Sequence, residues 1–377
     1  MDLDMDQDRF GPNIWLVDEM YRRYLENPKA VGESWRDFFE DYRPARRAPE
    51  AKASTPQSPA EAKAPAGGDV PSATPISPET ATQVPEDAVP LRGVAARIAE
   101  NMERSLGVPT ATSVREIPAK LIEENRRLIN RCLSVRRGGK VSFTHLIGWA
   151  ILKGLQARPN MKSSYVEIDG TPHVVQHKHV NFGLAVDVER KTGERVLLVP
   201  NIKGADELDF DDFFAAYEEL IRKVRSNELA PEDFSGTTVT LTNPGTVGTS
   251  LSVPRLMESQ GLIVGTGAIG YPPEYEASDP RQLARLGVSK TITITSTYDH
   301  RVIQGAESGQ FLSYVHELLL GAERFYDEIF ASLKVPYEPV RWSSDRAAIP
   351  GDDMDLEKQS RVIQLINMYR VRGHLLA

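Results

Sequence analysis

Apolar positions along the chain follow two different spacings, one typical of helices and one typical of strands. Helical spacing predicts helices over residues 92–106, 120–133, 143–158, 210–227 and 308–320. Runs of β-branched and apolar residues predict strands over residues 173–188, 195–200, 237–242, 262–268 and 288–298. Asp209 precedes the fourth helix and is its expected N-cap. Because helices and strands are mixed along one segment, residues 91–336 are predicted to form an α/β (α+β) layered domain.

The pattern is different on both sides of that domain. Residues 1–43 contain apolar and aromatic side chains at helical spacing and predict a helical hairpin, which is too small to bury much surface alone and should dock on another part of the protein. Residues 44–90 are rich in Ala and Pro and predict a disordered, extended linker, either a tether for domain movement or a passive spacer. Residues 337–377 predict a polar linker followed by an amphipathic helix, as if the chain were truncated just inside another domain.

Composition narrows the class of protein. With 377 residues, 40% hydrophobic and 26% charged, the chain is an ordinary soluble one of about two or three domains. A net charge of −8 argues against nucleic acid or an anionic membrane as partner. The sequence has no apolar run of about 18 residues, and its acidic N-terminus does not fit a targeting segment, so we expect a cytoplasmic protein. The single cysteine, Cys132, excludes an internal disulfide and is expected to be buried.

One glycine motif has the spacing of a dinucleotide-binding loop, G-x-G-x-x-G. It runs from Gly265 to Gly270 and follows an apolar strand, but such a loop needs a helix to begin there. Pro272 and Pro273 follow instead, and they disfavour that helix. Two strands that meet at glycines are the better interpretation.

Two groups of side chains are candidates for binding ions. Six basic residues on and after the second helix could meet phosphates, although a solvated helix face has the same composition. Three histidines lie on a predicted strand, where His177 and His179 would share a face, but no carboxylate or cysteine stands close in sequence to complete a zinc site. The basic residues are Arg126, Arg127, Arg131, Arg136, Arg137 and Lys140, and the first histidine is His173.

Two threonine-rich strands end in polar residues. One alternates through Thr297 and is followed by Asp299, His300 and Arg301. A histidine at a strand end can act as a general base if a ring nitrogen faces a cleft, although this segment alone favours a structural histidine. The other strand ends at Thr242 and is followed by Asn243 in an Asn-Pro-Gly turn.

Together these segments resemble the catalytic domain of the 2-oxoacid dehydrogenase complex acyltransferases, which share the chloramphenicol acetyltransferase fold. Asp299-His-Arg-Val-Ile-Gln-Gly305 resembles the family signature, and Thr240-Leu-Thr-Asn-Pro-Gly245 resembles the segment with its oxyanion-stabilising hydroxyl. Residues 89–105 resemble its first helix, and residues 182–187 and 197–200 resemble its central strands. The resemblance implies a two-layer domain with a mixed sheet.

The two ends of the chain resemble a different family. Residues 14–39 resemble the N-terminal segment of the decarboxylating component of 2-oxoglutarate dehydrogenase, and residues 361–375 resemble the start of its main body. The combination resembles fused bacterial 2-oxoglutarate dehydrogenases, in which a succinyltransferase domain precedes a thiamine-diphosphate-dependent decarboxylase. Thiamine diphosphate and Mg²⁺ would then bind beyond Ala377.

The resemblance implies transfer of a succinyl group between the thiols of dihydrolipoamide and coenzyme A, in the citric acid cycle. His300 would be the general base, and the Thr242 hydroxyl would donate to the oxyanion. In the family these two groups come from neighbouring subunits of a trimer, so a homo-oligomer with a trimeric contact is implied. The residues expected to support them are Asp299, Arg301, Gln304 and Asn243.

Two features depart from the family pattern. Position 304 is Gln where the family usually has Asp, a carboxylate thought to pair with Arg301, so a catalytically weak oligomerising scaffold or an acyl-coenzyme A sensor for the attached decarboxylase stays open. The chain also has no lipoyl domain. The lipoyl group would come in trans, and the implied partners are a lipoyl-bearing acyltransferase component and dihydrolipoamide dehydrogenase, with no nucleic acid or membrane.

Overall fold

The computed structural model of the chain describes residues 10, 13–42, 91, 94–136, 139–189, 195–257 and 259–341. The helices in them are α1 (Ile14–Glu26), α2 (Glu33–Asp41), α3 (Val94–Ser105), α4 (Lys120–Arg136), α5 (Phe143–Ala157), α6 (Phe210–Ser226), α7 (Pro280–Arg285), α8 (Gly305–Leu319) and α9 (Phe325–Ser332). The strands are β1 (Thr110–Pro118), β2 (Ser163–Ile168), β3 (Thr171–Gln176), β4 (Phe182–Glu189), β5 (Arg195–Leu198), β6 (Asn201–Ile202), β7 (Val239–Thr242), β8 (Leu262–Thr266) and β9 (Thr291–Asp299). The predicted linker at 44–90 and most of the segment at 337–377 lie outside the described residues. None of the described helices is long and apolar enough to cross a membrane.

The predicted helices are confirmed within a few residues at each end. Asp209 caps α6 as expected, since its Oδ1 accepts a hydrogen bond from the backbone N–H of Asp212 at 2.9 Å. The prediction of one strand over residues 173–188 is wrong, because β3 and β4 are separate strands in different sheets. Strands β1 and β2 were not predicted, since their many polar residues give little of the apolar signal on which the prediction depended.

The main sheet is mixed, as predicted. Its strand order is β1-β9-β8-β7-β4-β5, and β6 pairs with β4. Strand β7 runs parallel to both β4 and β8, whereas β9 runs antiparallel to β8. Strands β2 and β3 form a separate antiparallel hairpin, whose two turn residues, Asp169 and Gly170, have φ angles of 51° and 74°. Positive φ at both positions is typical of a tight two-residue hairpin turn.

Helix α5 forms the centre of the second layer. It is apolar nearly all round, and ten of its residues are buried. At Gly148 it lies against the side chains of Phe182 in β4, Leu241 in β7 and Phe213 in α6. Further along, Gly154 lies against Phe311 in α8. Strand β7, which leads to Thr242, is therefore supported by α5.

The chain divides into two compact units. The first contains Met1–Arg115, Thr144–Ala268 and Thr293–Val315, and the second contains Glu116–Phe143, Ile269–Ile292 and His316–Ala377. In the second unit the Asn125 side chain makes two hydrogen bonds with the backbone of Val340, at 2.8 and 3.0 Å. Lys290 forms an ion pair with Glu123 at 2.9 Å. All of the candidate catalytic and supporting residues belong to the first unit.

The N-terminal helical hairpin docks on the remainder of the first unit, as its small size predicts. The Asn13 side chain is 1% exposed and makes two hydrogen bonds with the backbone of Val199, at 3.0 and 3.1 Å. Because Val199 lies between β5 and β6, outside both strands, Asn13 satisfies buried backbone groups that lie outside the strand pairing. Trp35 is also buried, and its indole N–H donates to the Leu229 carbonyl at 2.9 Å. Two buried polar anchors therefore hold the hairpin in place.

A close backbone approach at Gly261 leads to a stability prediction. A Cβ atom at this position would lie 1.6 Å from the carbonyl oxygen of Ser163, the first residue of β2. Because backbone cannot give way as a flexible side chain can, we expect Gly261→Ala to lower the free energy of unfolding by about 3 kcal/mol. The control is Gly309→Ala in α8, where nothing lies within 4 Å of the new atom. That change should raise the stability by about 0.5–1 kcal/mol, and urea unfolding of both variants measures the difference. Equal stability of the two variants would contradict the expectation.

Candidate active site

His300 directly follows β9, at one end of the main sheet. The backbone N–H of His300 donates to the Pro109 carbonyl at 2.9 Å, and that of Asp299 donates to the Gly261 carbonyl at 3.0 Å. The imidazole itself is exposed, with its ring centre 5.5 Å from that of the buried Tyr298. The backbone of the histidine is therefore held firmly while its side chain is available to a ligand.

An ion pair joins the two residues on either side of His300 in the sequence. The Asp299 carboxylate is fully buried, and Arg301 binds it with Nε at 2.9 Å from Oδ1 and Nη2 at 2.7 Å from Oδ2. The backbone N–H of Arg301 also donates to Oδ1, at 3.0 Å. These charge-assisted bonds compensate the burial of the carboxylate. Arg301 is therefore paired with a carboxylate although position 304 is Gln.

Gln304 stands at the start of α8. Its carbonyl accepts the hydrogen bond from the Ser308 N–H at 3.1 Å, so it is the N-cap residue, and its own N–H donates to Glu307 Oε2 at 3.0 Å. The amide of Asn160 donates to Glu307 Oε1 at 2.7 Å. Sequence reasoning missed Glu307, although its place three residues after an N-cap is the spacing of the acidic residue in a capping box.

The hydrogen bonds to Glu307 predict a pH-dependent contribution to stability. The bond from Asn160, and then the one from the Gln304 N–H, hold the pKa of Glu307 below its ordinary value of 4.5. The contribution is therefore present above pH 4.5 and is lost as the pH falls through the lowered pKa. Because the group is largely exposed, we expect Glu307→Gln to cost only about 0.5 kcal/mol near pH 7, and less near pH 3.

Urea unfolding of the wild-type chain and of Glu307→Gln at both pH values measures this difference. Asn160→Ala provides the matched control. It should raise the pKa of Glu307 towards its ordinary value and shift the loss to higher pH. A difference between the wild-type chain and Glu307→Gln that is the same at both pH values would contradict the assignment.

Thr242 ends β7, at a different place in the sheet. It is half-buried, and its hydroxyl has no hydrogen-bond partner among the residues that the structure describes. The neighbouring Asn243 amide donates to Thr144 Oγ1 at 2.8 Å. The chain after this turn folds back over the sheet, where Thr295 Oγ1 donates to the Ser252 carbonyl at 2.8 Å. The Thr242 hydroxyl is therefore free to donate to a ligand.

The sheet register separates the two candidate catalytic residues. Thr242 lies opposite Gly265 of β8, and Gly265 lies opposite Thr295 of β9. His300 comes five residues after Thr295, which is about 16 Å along the strand at ~3.3 Å per residue. It lies at the end where β7 and β8 begin, whereas Thr242 lies where β7 ends. One chain therefore brings His300 together with Asp299 and Arg301 but not with Thr242.

The three neighbouring histidines do not form a metal site among the described residues, where no group of three metal-binding side chains is found. The expectation that His177 and His179 share a strand face is wrong, because both lie in the connection between β3 and β4. His177 Nε2 lies 2.8 Å from Ser164 Oγ, and burial lowers the pKa of His177. His179 lies 3.3 Å from Glu207. The connection lines part of a cavity of about 440 Å³.

Three other interpretations of the sequence are confirmed. The glycine motif is followed by an extended segment and a short turn at Pro273–Tyr275 instead of a helix, and the Gly267 N–H donates to β9 at the Thr293 carbonyl. The solvated face of the basic helix is seen in the exposed side chains of Arg127, Arg131, Arg136 and Lys140, while Arg126 stacks over Phe143 at 4.0 Å. Cys132 is buried, at 7% exposure.

Comparisons with known proteins assign this chain to a family. The profile described as "2-oxoacid dehydrogenases acyltransferase (catalytic domain)" matches residues 83–326. The chain belongs to this acyltransferase family. A second profile, "2-oxoglutarate dehydrogenase N-terminus", matches residues 9–46. The docked helical hairpin lies within the segment that matches this second profile.

Relatives and solved structures agree with the acyltransferase assignment. The chain is 45% identical over 428 residues to the "Multifunctional 2-oxoglutarate metabolism enzyme" of Mycobacterium sp. (strain JLS), which covers 98% of this chain. The chain spans about a third of the length of the curated relatives that it matches, 33% in this case. Two solved structures share the acyltransferase fold at a TM-score of 0.53 and cover 70% of this chain and 100% of their own. They are the dihydrolipoamide acetyltransferase of Azotobacter vinelandii, at 24% identity, and the cubic core of the pyruvate dehydrogenase multienzyme complex, at 25%.

Proposed function

We propose that the acyltransferase domain moves a succinyl group between the thiols of dihydrolipoamide and coenzyme A. The observation that carries this proposal is the exposed His300 on a turn held by the pairing of Arg301 with the buried Asp299, within a chain of the acyltransferase family. An imidazole in this position is available to a thiol, and the ion pair beside it restricts the turn. Succinyl as the acyl group is supported by the 2-oxoglutarate dehydrogenase segment at residues 9–46 and by the name of the mycobacterial relative.

In the proposed mechanism, His300 acts as the general base. A free thiol has a pKa of about 8.5, so little thiolate is present near pH 7. Neutral His300 takes the thiol proton while the sulfur attacks the thioester carbonyl. A C–S bond forms, and the carbonyl oxygen becomes an oxyanion that accepts a hydrogen bond from the Thr242 hydroxyl. When the intermediate collapses, the other C–S bond breaks and the departing sulfur takes the proton back from His300.

The proposed site draws on two chains. His300 and Thr242 are about 16 Å apart along the strand direction by the register, too far to act on one carbonyl group. A neighbouring chain that presents its Thr242 end to the exposed His300 would complete the site. We therefore propose a homo-oligomer with a trimeric contact, and the likeness to a cubic core of such a complex supports it.

Gln304 is compatible with this activity. In the acetyltransferase of Azotobacter vinelandii, the residues investigated for the catalytic mechanism are a serine, a histidine and an asparagine four positions after that histidine. His300 and Gln304 have the same spacing here, and Gln304 likewise ends in an amide. Since Asp299 holds Arg301, an uncharged side chain at position 304 leaves the ion pair intact.

The proposal also covers the domain organisation, the partners and the cofactors of the longer protein. We propose the division into a helical segment at 1–43, a linker at 44–90, the acyltransferase domain at 91–336 and the start of a decarboxylase domain from 337. The lipoyl group would be supplied by another acyltransferase component, and dihydrolipoamide dehydrogenase would reoxidise it. Thiamine diphosphate and Mg²⁺ would belong to the portion after Ala377. We further propose that this system operates in the cytoplasm.

The test is steady-state transfer from succinyl-coenzyme A to dihydrolipoamide by the purified chain. Acetyl-coenzyme A is the matched donor, because it lacks only the terminal carboxymethyl extension. We expect turnover with the succinyl donor and a lower kcat/KM with the acetyl donor. Oligomerisation and coenzyme A binding without turnover would overturn the proposal and favour a scaffold or an acyl-coenzyme A sensor. Faster transfer from the acetyl donor would support acyl transfer as the reaction and contradict succinyl as the preferred acyl group.

A further inference from the structure

The guanidinium of Arg301 has a second contact besides Asp299. It lies over the ring of Tyr165, with 3.7 Å between the guanidinium carbon and the ring centre. Tyr165 is in β2, far from the signature segment in sequence, and is half-buried. The bidentate bonds to Asp299 set the plane of the guanidinium, and the aromatic face restrains its motion out of that plane. Arg301 is thus held from two directions, and His300 is the residue between it and Asp299.

The hairpin that carries Tyr165 is itself fixed to the end of the sheet where His300 lies. The carbonyl of Ser163, two residues before Tyr165, directly faces Gly261, where a Cβ atom would be 1.6 Å away. The carbonyl of Gly261 in turn accepts the N–H of Asp299 at 3.0 Å. The start of β2, the start of β8 and the end of β9 are therefore in direct contact.

The hairpin also reaches the other side of the turn after His300. The Gln176 amide, at the end of β3, donates to Asn160 Oδ1 at 3.1 Å, and Asn160 holds Glu307. Glu307 accepts the N–H of Gln304, which closes the turn. Tyr165 thus contacts the turn at Arg301, and a series of hydrogen bonds from Gln176 reaches the turn at Gln304.

We propose that Tyr165 is a positioning residue for His300, acting through Arg301, and that the β2–β3 hairpin is the element that orients the base. The role of His300 rests on the proposed function. The restraint of the His300 turn by Tyr165 is a separate property that can be measured without activity. Nothing in the local sequence around His300 points to Tyr165, because the two meet only through the fold.

The test compares Tyr165→Leu with Tyr165→Phe. The leucine removes the aromatic face, and we expect kcat for succinyl transfer to fall about tenfold while KM for succinyl-coenzyme A and for dihydrolipoamide changes less than about twofold. The phenylalanine keeps the face and loses only the hydroxyl, so it should restore most of the rate. Val174→Ala is the hairpin control, because Val174 is the cross-strand partner of Tyr165 and is 58% exposed. Because Val174 is exposed, this change keeps the backbone pairing of the hairpin and does not alter the contact with Arg301, so it should leave kcat unchanged.

A spectroscopic readout keeps the proposal falsifiable if the wild-type chain proves inactive. The chain has seven histidines, and with ¹³C-labelled histidine the signal of His300 is identified by its loss in His300→Gln. We expect this signal to shift or broaden in Tyr165→Leu and to stay unchanged in Tyr165→Phe and Val174→Ala. An inactive wild-type chain with this pattern would overturn the proposed function and support the positioning role.

Three results would overturn the positioning role. The first is a His300 signal in Tyr165→Leu that matches the wild-type one. The second is an active wild-type chain in which Tyr165→Leu keeps its kcat or changes only KM. The third comes from Arg301→Lys, which keeps a cation for Asp299 but has no planar face for the ring. If Tyr165→Leu still lowers kcat about tenfold in the Arg301→Lys background, Tyr165 does not act through Arg301.

Discussion

Replacement of His300 by alanine is expected to lower succinyl transfer by about a thousandfold. The imidazole is the proposed acceptor of the thiol proton, and an alanine at this position leaves no group there to take it. Because the side chain is exposed and its fixed contacts are made by the backbone N–H, the fold should not depend on it. We therefore expect the free energy of unfolding to change by less than about 0.5 kcal/mol.

The measurement is kcat for transfer from succinyl-coenzyme A to dihydrolipoamide, with urea unfolding of the same preparation. His179→Ala is a suitable control, since His179 is a partly exposed histidine in the connection between β3 and β4 and is paired with Glu207. It should keep the wild-type rate. If His300→Ala retained more than about a tenth of the activity, general-base catalysis by His300 would be excluded.

The second large effect is expected at Thr242. Thr242→Val keeps the shape of the side chain and removes the hydroxyl, so the oxyanion loses one donor. Loss of such a donor costs about 2.7–4 kcal/mol in the transition state, which is about a hundred- to a thousandfold in kcat. Thr293→Val is the matched control, because Thr293 is a half-buried threonine near the start of β9. A rate within about threefold of wild type in Thr242→Val would rule out the role.

The register makes a sharper prediction for mixtures of these variants. If each site takes its base from one chain and its hydroxyl from the next, chains with His300→Ala and chains with Thr242→Val should complement each other. After co-refolding in equal amounts, half of the chains have an intact His300 and the other half have an intact Thr242. About a quarter of the sites would therefore contain both intact groups. Recovery of about a quarter of the wild-type activity is therefore expected. A site within one chain would show no recovery.

Local sequence patterns were sufficient for much of the fold. The helices around Cys132 and after Asp209 were predictable because helical spacing and capping act over a few residues. The position of His300 at a strand end was predictable for the same reason, since alternation stops there. The docking of the N-terminal hairpin followed from its size, although its anchors, Asn13 and Trp35, bind backbone groups nearly two hundred residues away.

The sequence by itself determined the family, the mixed α/β class and the candidate base and hydroxyl, because these depend on short motifs and on local spacing. Only the tertiary structure decided that His300 and Thr242 lie at opposite ends of one sheet, since strand order and direction are set by packing between distant segments. It also decided that Asp299, and not residue 304, holds Arg301, and that Tyr165 lies against the guanidinium. Such contacts join residues whose separation along the chain carries no signal, so their partners are known only once the sheet and the hairpin have formed.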